Sequence, residues 1–172
     1  MHRRGQIAVK GIDSDLPDAL TNLRTQPLFV MRLDVRAIQT VGAMAGDRQR
    51  RVGFVSGGSF VGERLSGTVL DGGNDWQTLF GDGAVSLNVR LLLRTGDGAL
   101  IGMTYRGLRH GPADVIARIE RGEVVDPATH YFRIVPFFET ASPRYGWLNR
   151  IIGLGIGWRH EAGPLYSVFE VL

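Results

Sequence analysis

Cysteine is absent from this sequence, which removes disulfide frameworks and thiolate metal sites from consideration. Lysine is nearly absent too: Lys10 stands alone, so the positive charge is almost all arginine. That is a matter of composition and points to no function by itself. No apolar run approaches the ~20 residues of a membrane span. The first residues, MHRRGQIAVKGIDSD, carry basic side chains without the hydrophobic stretch of a secretory signal. The expectation is a soluble, cytoplasmic protein with no membrane partner. Cofactor signatures are missing as well. There is no P-loop, and GLGIGW lacks both the three-glycine spacing and the strand-to-helix context of a dinucleotide site. Gly57-Gly58-Ser59-Phe60-Val61 lacks the second glycine of a nucleophile elbow. His2, His110, His130 and His160 form no i, i+4 pair and have no acids at ligand spacing. Neither a metal nor a cofactor is expected.

What is present is an ordinary globular balance of 44% apolar and 22% charged residues. At 172 residues the chain suits one domain, and a chain of that size buries about 70% of its unfolded surface. An isoelectric point near 9.8 invites a nucleic-acid partner. The formal charge is only +3, however, and the arginines are scattered among acids. The nearest cluster, Arg48, Arg50 and Arg51, has no interleaved aromatics to stack bases, so nucleic acid is not expected.

Residues 1–26 read as an N-terminal extension and 27–172 as a β domain. In SDLPDALTNLR, Ser14 or Asp15 caps a short helix, with Pro17 in its first turn and Leu16, Leu20 and Leu23 at helical spacing. Beyond Pro27, the 24 glycines fall mostly between short β-rich runs. SLNVRLLLRTGDGALIGMTYRG is the clearest hairpin. It sets Leu87, Val89, Leu91 and Leu93 against Ser86, Asn88, Arg90 and Arg94, and Gly96-Asp97-Gly98 supplies the turn. GPADVIARIERG is a helix with Pro112 at its start, Gly122 past its end and an apolar stripe of Val115, Ile116 and Ile119. Such a helix belongs on the outside or at the mouth of something larger. Strands are expected over 131–140, 147–159 and 165–172, and Gly153, Gly155 and Gly157 bare one face of the second. Eight or nine antiparallel strands with one short helix and no βαβ rhythm point to a closed barrel. A small barrel can hold one ligand.

Several spacings occur together: GGSFVGERLSGTVLDGGNDWQ, RTGDGALI, RHGP, YFRIVPFFET, SPRYGWLNR and the terminal YSVFEVL. As a series they resemble the family catalogued as domain of unknown function 3237, from about Pro27 to the C-terminus. The resemblance implies a lipocalin-like, calycin-type β-barrel and no settled activity. Two departures from the family's pattern stand out. Val135 and Phe137 replace more polar residues, and Asn88 sits where an acid is common.

The site residues nominated by their chemistry are Asp75, Arg90, Tyr105, Arg133 and Glu139 as the catalytic group. Trp76, Tyr131, Tyr145 and Trp147 are nominated as flat ligand walls. A carboxylate in a partly apolar lumen has its pKa raised toward neutrality, where it can move a proton. An adjacent arginine can hold an enolate or carboxylate through forked hydrogen bonds. Asp75 or Glu139 would then be the base, Arg90 or Arg133 the oxyanion partner and Tyr105 an acid. Each has a plainer alternative: Asp75 as a turn cap after Gly72-Gly73-Asn74, Arg90 as a solvated residue, Arg133 with Glu139 as a surface ion pair, and the tryptophans as core. Pro136 cannot donate to a ladder, so an edge or bulge is expected there, and a bulge would flip the face of Glu139. The expectation is that Arg133 faces the lumen. Three functions follow: a cofactor-independent isomerase, cyclase or lyase acting on a small hydrophobic oxygenated molecule; a non-catalytic carrier or sensor of an apolar ligand; or an interaction module with a filled barrel. The apolar strands that close the chain, 147–172, are also compatible with a homo-oligomer.

Overall fold

The computed structural model describes residues 16–172. Ser14, Asp15, His2 and Lys10 lie outside the described residues. A short helix, α1 (Asp18–Thr21), leads into ten strands: β1 (Thr25–Val35), β2 (Gln39–Met44), β3 (Arg48–Val61), β4 (Ser66–Val69), β5 (Gly73–Phe80), β6 (Val85–Thr95), β7 (Leu100–His110), β8 (Tyr131–Glu139), β9 (Gly153–His160) and β10 (Gly163–Val171). Helix α2 (Ala113–Glu120) joins β7 to β8, and 3₁₀ turns occupy Pro127–Thr129 and Gly146–Arg150. Trp147 therefore sits in a 3₁₀ turn, and the strand that was expected from residue 147 begins at Gly153.

All ten strands form one antiparallel sheet, running β1–β10–β9–β8–β7–β6 and closing through β4, β5 and β3 back onto β1. Two positions in the wall are shared. β4 and β5 occupy successive lengths between β3 and β6, and β2 continues beside β3 where β1 ends. The result is an eight-stranded closed barrel with two extra strands, a closure that leaves few edges to protect.

Alternation decides which side chains fill the barrel. Leu87, Val89, Leu91 and Leu93 of β6 point inward as expected, and so do Phe29, Met31 and Leu33 of β1 and Ile101, Met103 and Tyr105 of β7. β8 alternates strictly from end to end, exposed at Tyr131, Arg133, Val135, Phe137 and Glu139 and buried between them. Its pairing with β7 runs through Tyr105↔Pro136 without a register shift. Of the edge or bulge expected at Pro136, the bulge is absent. Pro136 instead marks where pairing with β9 gives out, since that ladder holds only Arg133↔Ile156 and Ile134↔Gly155.

The bare face of β9 looks into the barrel, where β8 side chains lie over it. A Cβ at Gly153, Gly155 or Gly157 would come within 2.6–2.7 Å of Pro136, Ile134 or Phe132. Helix α2 is tied to one end of the barrel by the ion pairs of Glu120 with Arg51 of β3 and Arg109 of β7. Its Val115, Ile116 and Ile119 pack with Val125 in a small cluster separate from the barrel core. Trp158 Nε1 of β9 donates to the Val125 carbonyl at 2.9 Å, tying that loop to the wall.

Candidate functional site

The barrel interior is hydrocarbon over most of its length and polar at the α2 end. The polar group assembles on three strands. Asp75 and Gln77 face inward from β5, Tyr105 and Arg109 from β7, and Tyr166 from β10, because each lies two residues from an inward neighbour. Register sets Asp75 beside Val89 and Val89 beside Tyr105, one row across β5, β6 and β7. These five residues border an internal cavity of about 30 Å³, together with Phe132, Arg159 and aliphatic side chains. That volume holds a water or two and no ligand.

Hydrogen bonds chain the polar groups toward the cap. Gln77 Nε2 donates to Asp75 Oδ2 at 2.6 Å, and Arg51 Nε donates to Gln77 Oε1 at 2.7 Å. Arg51 reaches the α2 residue Glu120 through two further bonds of 2.6 and 3.1 Å, and Arg109 also donates to Glu120. The side chains of Arg51 and Arg109 are only 14% and 6% exposed, and the two guanidiniums share the single negative charge of Glu120. Asp75 Oδ1 and Arg109 Nε, both buried, make no hydrogen bond.

These surroundings shift the acids and phenols in different directions. Burial raises Asp75 above the ordinary carboxylate value, and the Gln77 hydrogen bond, the Asn88 backbone N–H and the Arg51 and Arg109 charges offset part of that. Burial also works to raise Glu120, but the bond from Arg51 and the charge of Arg109 outweigh it and hold Glu120 low. Tyr105 and Tyr166, with ring centroids 5.6 Å apart, are both pushed upward by burial, Tyr105 further by Tyr166 and then Asp75, and Tyr166 further by Asp75. They remain protonated donors. Burial lowers His130, the charge of Arg109 adds to that, and the Asp126 backbone opposes it.

Of the residues nominated from sequence, the fold brings only Asp75 and Tyr105 to the interior cavity. Arg133 faces outward, exposed on the far side of β8, and its guanidinium lies 5.0 Å from the centroid of the Tyr131 ring. The expectation that it enters the lumen was wrong, because Phe132, Ile134 and Phe138 claim the inward face. Arg90 is exposed opposite the leucines of β6. Glu139 is exposed and pairs with no arginine within 4 Å. Trp76 and Tyr131 also lie outside, 45% and 43% exposed. Tyr145 is buried at the opposite end of the barrel, donating to Asp97 at 3.2 Å, and Trp147 lies under the Arg64 guanidinium at 4.2 Å. Neither borders the Asp75 cavity. Gln77, Arg109, Tyr166 and Glu120 were missed, although parity carried the first three: Arg109 continues Met103 and Tyr105, and Tyr166 precedes Val168 by two.

A second concavity, about 950 Å³, lies on the outside of the barrel. Trp76, Tyr131 and Arg133 line it, as do Asn88 and Val135, two of the family-pattern departures. Among the described residues no three His, Asp or Glu side chains converge as a cation would require, and no helix is long and apolar enough to cross a membrane.

Comparison with known proteins places this geometry in context. The family model described as "Protein of unknown function (DUF3237)" matches residues 23–171. UPF0311 protein RPA1785 of Rhodopseudomonas palustris is 33% identical over 150 residues, covering 87% of this chain and 97% of that protein. Its crystal structure superposes with a TM-score of 0.84 over 88% of this chain and 99% of that one. A beta-barrel like protein from Acinetobacter baumannii gives 0.78 at 33% identity, over 92% and 99% of the two chains. An enzyme from Penicillium herquei shares the fold at 20% identity, with a TM-score of 0.69 over 91% of this chain and all of that one.

Proposed function

This chain belongs to the DUF3237 family of proteins of unknown function, and we propose that its barrel is a cofactor-independent acid–base enzyme centred on Asp75 and acting on a small hydrophobic oxygenated compound. The observation that carries this reading is a buried carboxylate of raised pKa, with one oxygen unbonded, bordering the same cavity as two protonated tyrosines. Asp75 would take a proton from the substrate. Tyr105 or Tyr166 would donate to the oxygen on which charge develops, and Arg109 would supply the positive field that Arg133 was expected to give. The work fits isomerisation, cyclisation or elimination, in which a proton leaves one atom and another reaches a neighbour. A family fold that also serves an enzyme in Penicillium herquei supports catalytic use of this architecture.

A cavity of about 30 Å³ admits no such substrate as it stands. No residue of α2 lines it, but α2 holds its Arg109 wall through Glu120, and this helix would lift. Gly111 precedes it, Gly122 follows it at φ +83°, and the Glu120 carboxylate is its ionic latch to Arg51 and Arg109. Opening would expose the mouth without disturbing the hydrocarbon end. The competing reading, an interaction module with a filled barrel, is favoured by the same small volume.

The experiment is incubation with pooled small metabolites in D₂O, read by mass spectrometry for compounds that are retained or gain deuterium. Retention and exchange by the wild type, with exchange lost in Asp75→Asn and reduced in Tyr105→Phe, supports the reading. Equal exchange by Asp75→Asn sinks it.

A further inference from the structure

The outer concavity stands apart from the Asp75 centre, with the wall of the barrel between them. One row of paired residues crosses it from β3 to β9: Arg50, Thr78, Ser86, Leu108, Arg133 and Ile156. In the neighbouring row Asn88 pairs with Arg106 and Arg106 with Val135. Arg106 and Arg133 are thus diagonal neighbours on adjacent strands, roughly 7–8 Å apart at Cα. Arg133 Nη1 donates to the Phe132 carbonyl at 3.0 Å and its guanidinium lies over Tyr131, so its partners on this face are neutral. Among the described residues no acid lines the concavity, and none of Arg50, Arg106 and Arg133 has a carboxylate within 4 Å. Glu139 shares the outer face of β8 but lies six residues along, about 20 Å from Arg133.

Beneath and beside the guanidiniums the surface is apolar. Leu108, Val135 and Ile156 are 51%, 38% and 41% exposed, and Trp76 and Tyr131 offer flat rings at two margins. A volume of about 950 Å³ is at the upper end of the range for small-molecule pockets. An unneutralised arginine pair above an aliphatic floor fits a molecule with an anionic head and a greasy body.

We propose that this outer face is a binding site for small amphipathic carboxylates, alkyl or aryl acids whose head is held by Arg106 and Arg133 and whose body lies on Leu108, Val135 and Ile156. The proposal is independent of the acid–base reading of the interior. A second copy of the chain fits less well, because a two-fold contact through this face would set one arginine group against its own image with no acid to meet it.

The test is titration of the isotopically labelled protein with decanoate, and with decanol as the same tail without the charge, following backbone amide shifts. Saturable shifts on the outward residues of β7 and β8 are expected, with decanol much weaker. Arg106→Gln/Arg133→Gln should weaken decanoate binding about tenfold or more, the loss typical of a charge-assisted contact. Arg94→Gln, exposed on β6 and outside the concavity, should leave binding unchanged. The proposal is overturned by absent or non-saturable shifts, by equal affinity for decanol, by indifference to the double substitution, or by shifts on Tyr105 and Tyr166 instead. Concentration-dependent shifts on this face without any ligand, together with sedimentation as a dimer, would assign it to a second copy.

Discussion

Asp75 and Trp76 are consecutive residues that serve opposite sides of one wall. The carboxylate borders the small cavity inside the barrel, while the indole stands 45% exposed beside the concavity outside. Period-two alternation forces the split. A single strand therefore contributes to two chemically unrelated places, and residues nominated together from sequence separate by parity.

Burial raises Asp75, so the folded chain holds its proton more tightly than the unfolded chain does. Between the ordinary 3.8 and its own higher pKa, folded protein binds more protons. Stability therefore falls as pH rises through that window and stays lowered above it. Asp75→Asn keeps an oxygen for Gln77 and removes the charge. Its denaturant midpoint should exceed that of the wild type near neutral pH, with the gap closing below the window. A lower midpoint at neutral pH would mean that the carboxylate is a stabilised ion.

Glu120 is the only acid that pairs with Arg51 and Arg109 among the described residues. Glu120→Gln should cost about 2 kcal/mol in global stability, since two poorly hydrated guanidiniums lose their counter-charge. Amide exchange across 113–120 should speed up more than exchange in β6. Unchanged protection of α2 would contradict its latching by this carboxylate.

Gly157 lies against Phe132, whose ring atoms would be 2.7–2.8 Å from an added Cβ. Gly157→Ala is expected to destabilise by about 1–3 kcal/mol through overpacking. Thermal unfolding measures this, and a neutral result would show that the β8–β9 contact has slack.

His130 is buried and lowered, first by desolvation and then by the charge of Arg109. The unfolded chain, with an ordinary value of 6.5, takes up a proton first, so stability rises with pH across the window below 6.5 and is lost on acidification. The wild-type melting temperature should fall from pH 7 to pH 5.5 more steeply than that of His130→Phe. Parallel slopes would exclude His130 as the source.

The barrel, its closing helix and the inward leucines of β6 were legible because alternation and turn glycines are local signals. The site was half legible for the same reason in reverse. Alternation shows that Tyr131 and Arg133 share a face; it does not say which face is inside. Small barrels fill their interiors, so Phe132, Ile134 and Phe138 took the inward side. Glu120 could not be found this way. Its partners Arg51 and Arg109 are 69 and 11 residues distant in the chain, and only closure of the sheet brings them to the α2 mouth.

The most direct measurement is an NMR pH titration of carboxyl-labelled aspartates, with the Asp75 signal assigned by its loss in Asp75→Asn. The desolvated Asp75 carboxyl should titrate above 3.8, and its midpoint should move toward 3.8 when Glu120→Gln loosens the cap. A midpoint at or below 3.8 in the intact protein would contradict a dry, proton-holding centre beneath α2.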